Sequence, residues 1–221
     1  MIKLIIFDLW RTLIPATIDF THLFSLVKKS GIEIHEFVVK YEDAVQKKKY
    51  NNFEELRKDF FAYFKQTNNQ ILEEELYEIY HNRYDKIYYY PETENTLKKL
   101  KEKGYKLALM SNTESLRKND LEKKLKLKRY FDFLGYSFEM GAIKPDKKTF
   151  ETVLSHFDVL PEEVLMVGDS IRSDVGGAQS MNFHNCLVER DNIDKKYHPN
   201  IKPEFKITKL DEIFRVLGEI K

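Results

Sequence analysis

The chain has 221 residues, 42% of them hydrophobic and 33% charged, which excludes a disordered protein and leaves room for a core with a substantial insertion. With 37 Lys and Arg against 36 Asp and Glu, it lacks the basic excess that a nucleic-acid backbone or an anionic membrane demands. Its single cysteine, Cys186, excludes an intrachain disulfide and, beside Leu187 and Val188, reads as a small buried hydrophobe in a reducing cytosol.

The first predicted element is a strand over Leu4-Ile5-Ile6-Phe7, an unbroken apolar run that delivers Asp8 to its end. Residues 16–90 then follow helical spacing throughout. Their apolar positions (Phe20, Leu23, Phe24, Val27; Phe37, Val38, Tyr41, Val45; Phe53, Leu56, Phe60, Phe61, Phe64; Leu72, Leu76, Ile79, Tyr80) predict about four amphipathic helices, with turns at Gly31 and 66–70. A helix over 94–103 closes at Gly104, and a second strand over 106–110 runs into Ser111-Asn112. After Pro145 a helix over 147–157 leads to Val164-Leu165-Met166-Val167, which ends at Gly168-Asp169. His184–Val188 and Phe205–Ile207 add strands, and a last helix over 210–217 follows Thr208 with Asp211 three residues on, a capping pattern.

Unbroken rather than alternating apolarity marks strands buried on both faces, as in a parallel sheet covered by helices. The prediction is an α/β, doubly wound, Rossmann-like core made of residues 1–15 and 91–221, with 16–90 inserted as a helical subdomain. An insertion after the first strand sits above the carboxyl ends of the sheet, where open α/β folds bind ligands, so 16–90 is expected to act as a cap. Within it, the tyrosines at 77, 80 and 84, followed by Tyr88-Tyr89-Tyr90, read as core or interface. The basic run over 117–129 reads as a solvated helix face, with no nucleic-acid partner. No apolar run reaches the roughly 20 residues of a membrane span, so no membrane partner is expected, and the expected location is cytoplasmic. Expectation for the assembly is a monomer or homodimer.

The chemistry concentrates where the strands end. Parallel strands bring their carboxyl termini together, so Asp8, Ser111 and Asp169 converge although far apart in sequence. Asp174 follows Asp169 by five residues and joins them, although by itself it reads equally as a helix cap. Three carboxylates in one pocket raise each other's pKa, and a hard divalent cation such as Mg²⁺ relieves the repulsion while leaving room for a substrate phosphate. Lys144, before Pro145, adds a fixed positive charge.

Taken in order, Phe7-Asp8-Leu9-Trp10-Arg11-Thr12-Leu13, Ser111-Asn112, Lys144-Pro145 and Gly168-Asp169-Ser170 through Asp174 resemble the motifs of the haloacid dehalogenase superfamily of hydrolases. The helical insertion resembles that family's C1 cap. The resemblance implies a nucleophilic Asp8 that forms an aspartyl phosphate in phosphatases or an ester in dehalogenases. It implies that Thr12, Ser111 and Asn112 bind the transferring group and that Lys144 steadies its negative charge. In metal-dependent members, Asp8, Asp169 and the backbone carbonyl of Trp10 would hold Mg²⁺, with Asp174 in support. The expected substrate is a small phosphorylated metabolite.

Two residues depart from that pattern. Where most such phosphatases carry a second Asp as general acid and base, this chain has Trp10, whose indole has no titratable proton near neutral pH. Positioned acid–base groups contribute about 10²–10⁴ in rate. Phosphoryl transfer from a good leaving group tolerates that loss, and so does halide displacement. The 2-haloacid dehalogenases, which work without metal, carry an aromatic or apolar residue at this position. They replace the first acid of the fourth motif, however, whereas Asp169 is kept, and they have a tyrosine where this chain has Phe150. Their cap arginine has Arg57 or Arg83 as candidates. A third reading is an inert module that binds phosphate without turnover. Arg11 replaces the usual glycine, either facing outward against the cap or adding a cation at the mouth that attracts an anionic substrate.

Overall fold

The computed structural model describes residues 1–15, 20–65, 70–81, 87–190 and 198–220, and it opens on strand β1 (Leu4–Phe7). Four helices follow: α1 (Phe20–Ser30), α2 (Ile34–Val45), α3 (Phe53–Phe64) and α4 (Gln70–His81). The chain continues through α5 (Thr93–Glu102), β2 (Lys106–Ser111), α6 (Lys118–Leu125), β3 (Phe133–Tyr136), α7 (Ser137–Met140) and α8 (Lys147–Leu154). It closes with β4 (Val164–Gly168), α9 (Gly177–Ser180), β5 (His184–Val188), β6 (Phe205–Ile207) and α10 (Ile213–Glu219).

The strands form one six-stranded parallel sheet in the order β3-β2-β1-β4-β5-β6, so the doubly wound α/β prediction is met. The continuous apolar runs follow from burial on both faces. Ile5, Phe7, Leu107, Leu109, Leu165 and Val167 pack with Leu97, Leu121 and Ile213 on one side. Their alternates Leu4, Ile6, Ala108, Met110, Val164 and Met166 pack with Phe150, Val153 and Phe183 on the other. Each such side chain contributes roughly 1.5–3 kcal/mol by leaving water. Phe150, the residue weighed against a tyrosine, is a core filler: a Cβ on Gly177 would come within 2.2 Å of its ring. Cys186 is buried, and burial pushes its thiol up to about 12, as befits a packing residue.

Helices α1 to α4 build a hydrophobic cluster of their own, centred on Phe37, Leu56, Phe60, Leu76 and Tyr80, with α1 against α4 and α2 against α3. Asn52 caps α3 by accepting from the backbone N–H of Glu55 at 3.0 Å, and Glu33 caps α2 through His35 N–H at 2.8 Å. The tyrosines divide by role. Tyr80 is in this cluster, Tyr77 is exposed, and the Tyr89 hydroxyl donates to the carbonyl of Leu125. Tyr84, Arg83 and the 66–69 part of the predicted turn lie outside the described residues. Among the described residues, no helix is long and apolar enough to cross a membrane.

Candidate active site

Register places the functional side chains. β1 lies between β2 and β4, with Phe7 beside Leu109 and Val167, so Asp8 leaves β1 level with Met110 and Gly168, and Ser111 ends β2 one residue further along. The backbone N–H of Asp8 continues the ladder by donating to Val167 O at 2.9 Å. The chain then folds back: Leu13 and Ile14 donate to the carbonyl of Leu9, and Arg11 N–H to Ile14 O at 2.6 Å. Arg11 sits at φ +59, the left-handed region in which glycine is favoured. That reversal returns Thr12 to Asp8, and its Oγ1 donates to Asp8 Oδ2 at 3.1 Å.

Lys144 is 2% exposed and holds the centre of the site. Its Nζ donates to Asp8 Oδ1 at 2.7 Å and to Asp174 Oδ1 at 2.6 Å. Asn112 fixes the Lys144 backbone from both sides, accepting its N–H at 2.8 Å and donating to its carbonyl at 3.2 Å. Asp174 rides on a single π-helical turn, Ile171–Gly176, whose Asp174 and Val175 N–H groups both reach the Ser170 carbonyl. Such turns concentrate at functional sites. The Ser170 N–H in turn donates to Asp174 Oδ2 at 3.0 Å. Among the described residues, the Ser111 hydroxyl is buried without a hydrogen-bond partner, a donor left over for a ligand.

Gly168 is required by this packing, because a Cβ there would fall 2.2 Å from Asp174 Oδ2. Gly168→Ala is therefore expected to displace the Asp174 carboxylate from Lys144 and to cost about 1–3 kcal/mol. Urea denaturation checks this, and an unchanged midpoint would contradict it.

Electrostatics match the geometry. Burial raises the Asp8 carboxyl to about 6; the Lys144 ammonium opposes the rise and the Asp174 carboxylate adds to it. Burial works against the Lys144 charge, yet Asp174 and Asp8 outweigh it and hold the ammonium above the ordinary lysine range. Asp8, Asp169 and Asp174 each present an oxygen within 4.8 Å of the others, a hard-oxygen set that fits a divalent cation such as Mg²⁺. Cations of the chain already lean on this set. Besides Lys144, Arg11 turns inward, its Nη1 3.2 Å from Asp169 Oδ2, so it is neither outward-facing nor a free charge at the mouth.

Asp8, Thr12, Asn112, Lys144, Asp169 and Asp174 thus come together in one cluster, with Arg11 against it. Trp10 is half-buried at its edge, with the Arg117 guanidinium 5.4 Å from the ring centroid. Arg57 is held by Glu54 and Glu73 within its own helical cluster.

Sequence patterning gives no sign of two neighbours, Arg190 and Glu42, and reads a third, Arg117, only as part of a basic run. Arg190, just past β5, pins the turn after Asp8 by donating to Thr12 O at 3.1 Å while paired to Glu92. Buried Arg117 pairs with Glu114 under the indole, and so leaves the solvated face expected for its run. Glu42 reaches Asn112 from α2, its Oε2 3.5 Å from Nδ2. Each makes its contact far from its place in the chain, and local patterning carries no signal for that.

Comparison with known proteins agrees with the geometry. Residues 5–188 match the haloacid dehalogenase-like hydrolase family. A glyceraldehyde 3-phosphate phosphatase of Pyrococcus furiosus is 28% identical over 98% of this chain and 93% of that protein. Among solved structures, a HAD phosphatase from Thermococcus onnurineus superimposes with a TM-score of 0.64 at 27% identity, covering 98% of both chains. The L-2-haloacid dehalogenase of Xanthobacter autotrophicus gives 0.67 at 18% identity over 100% of both, which is a likeness of fold.

Proposed function

The chain belongs to the haloacid dehalogenase-like hydrolase family, and from that premise we propose that it is a Mg²⁺-assisted phosphatase of a small phosphorylated metabolite. One observation carries the reading. Carboxylates from two separate strand ends meet within 4.8 Å, and a buried lysine bonds the first of them.

In this reading Asp8 attacks phosphorus through a carboxylate oxygen, giving an aspartyl phosphate that water then hydrolyses. Thr12 and the unpartnered Ser111 hydroxyl donate to the phosphoryl oxygens, and Lys144 offsets their charge. Asn112 keeps Lys144 in place. Asp8, Asp169 and the Trp10 carbonyl, with Asp174 in support, would hold Mg²⁺, which supplies positive charge opposite the phosphate. Residues 16–90 serve as a C1-type cap on a core of 1–15 and 91–221. Support for a phosphoryl rather than a halide substrate comes from the retained Asp169 and from the phosphatases that resemble the chain along its length.

The test is phosphate release from acetyl phosphate and p-nitrophenyl phosphate. Turnover is expected with Mg²⁺ and is expected to fall by roughly 100-fold or more in EDTA, because a metal's charge stabilisation is worth several kcal/mol. Trp10 favours a second reading, 2-haloacid dehalogenation. Chloride release from 2-chloropropionate in EDTA, without phosphate release, would establish that reading and overturn the first.

A further inference from the structure

Trp10 stands two residues beyond Asp8, where a carboxylate would serve to protonate a leaving oxygen, and its indole cannot take that part. A carboxylate does reach the site, from the other side. On α2, Phe37 and Val45 are buried in the helical cluster and Tyr41 packs against it. Glu42, one residue and about 100° around from Tyr41, faces away from that stripe. The other acids of the helix behave as surface residues: Glu36 pairs with Lys40 and Asp43 with Lys47. Glu42 differs. Among the described residues it makes no ion pair, and its Oε2 lies 3.5 Å from the Asn112 amide that clamps Lys144.

Resting on the phosphatase reading above, we propose that Glu42 is the general acid–base of this enzyme, lowered onto the site by α2 in place of the absent aspartate. In the first half-reaction the Asp8 oxygen bonds to phosphorus as the ester P–O bond breaks, and protonated Glu42 gives its proton to the departing oxygen. In the second, the Glu42 carboxylate takes a proton from water as that water's oxygen bonds to phosphorus. The Asp8–phosphorus bond breaks, inorganic phosphate leaves, and both carboxyl groups return to their starting states.

Its surroundings suit both roles. Burial lifts the Glu42 carboxyl to about 7, so that both forms are present near neutrality. The groups that act on it lie on three segments of the core. Arg172 and Asp174 lie on the turn after β4, Lys144 before α8, and Asn112 after β2. Arg172, Lys144 and the Asn112 hydrogen bond favour the carboxylate, whereas Asp174 disfavours it.

The experiment is Glu42→Gln in the full chain with Mg²⁺, because the amide keeps an acceptor toward Asn112. Here kcat/KM reports the first irreversible step, formation of the aspartyl phosphate. On an alkyl phosphate such as glycerol phosphate it is expected to fall by about 10²–10⁴-fold. On p-nitrophenyl phosphate, whose leaving group departs unprotonated, the expected loss is under about 10-fold on the same reasoning. Equal losses on both substrates, or none on either, would overturn the proposal. Activity surviving in Asp8→Asn would instead overturn the phosphatase reading. A measurement without turnover separates the two further. In protein with ¹³C-labelled glutamate, the carboxyl signal missing from Glu42→Gln is expected to titrate near 7, and titration at the ordinary glutamate value would remove Glu42 from this role.

Discussion

Lys144→Met is expected to destabilise the folded chain by about 3–5 kcal/mol, the cost of removing one partner from a buried ion network. The lysine is 2% exposed, and its ammonium sits between the carboxylates of Asp8 and Asp174 at 2.7 and 2.6 Å. Methionine preserves the length and the packing of the stem but leaves two buried acids facing each other. With the ammonium gone, the Asp8 carboxyl, already raised by burial, must rise further above its unfolded value. A group whose pKa is raised by folding favours the native state at low pH and loses that contribution as pH climbs through the folded value. The variant should therefore recover part of its deficit on acidification from pH 7 to pH 5. Urea denaturation at the two pH values measures this. A loss below about 1 kcal/mol at pH 7, the range of an exposed pair, would contradict a buried network.

The second large effect concerns Asp8, the proposed nucleophile. Asp8→Asn is expected to reduce phosphate release by about 10⁴–10⁶-fold, the scale on which deleting a nucleophile acts. Stability is expected to move the other way. The asparagine Oδ1 still accepts from Lys144, and its Nδ2 donates to the Thr12 oxygen once that hydroxyl turns its proton away, so both contacts at Asp8 are kept with one reversed. Folding raises the Asp8 carboxyl to about 6, so at pH 7 the native wild type carries a charge that burial disfavours. The variant is thus expected to melt no lower than wild type at pH 7. Any advantage should shrink as pH falls through about 6 and the wild-type carboxyl takes up its proton. Thermal melts across that range, beside phosphate assays, measure both halves. Turnover within 10-fold of wild type would remove Asp8 from its role.

The core strands were legible because burial on two faces leaves unbroken apolar runs, and Asp8, Ser111 and Asp169 were legible because each ends or follows one. β3 was not. Phe133-Leu134-Gly135-Tyr136 is short, follows a basic stretch and contains a glycine. A Cβ on that glycine would come within 3.1 Å of the Leu109 carbonyl, so it reflects close strand packing rather than a break. The final cap shows a smaller displacement: Thr208 and Lys209 donate to Glu212, one residue beyond the predicted Asp211. Glu42 and Arg190 show a different limit. On α2, Glu42 looks like Glu36 and Asp43, and only the fold tells which acid meets Asn112, seventy positions away in the chain. Arg11 was noticed as a departure, but its reach to Asp169 depends on the left-handed turn at its own backbone.

Trp10 is the chain's sole tryptophan, and it stands two residues from Asp8 with a guanidinium over its ring. All indole fluorescence from this protein therefore originates at one point on the turn after Asp8. Emission from the unlabelled protein is thus expected to report on the surroundings of Asp8 alone.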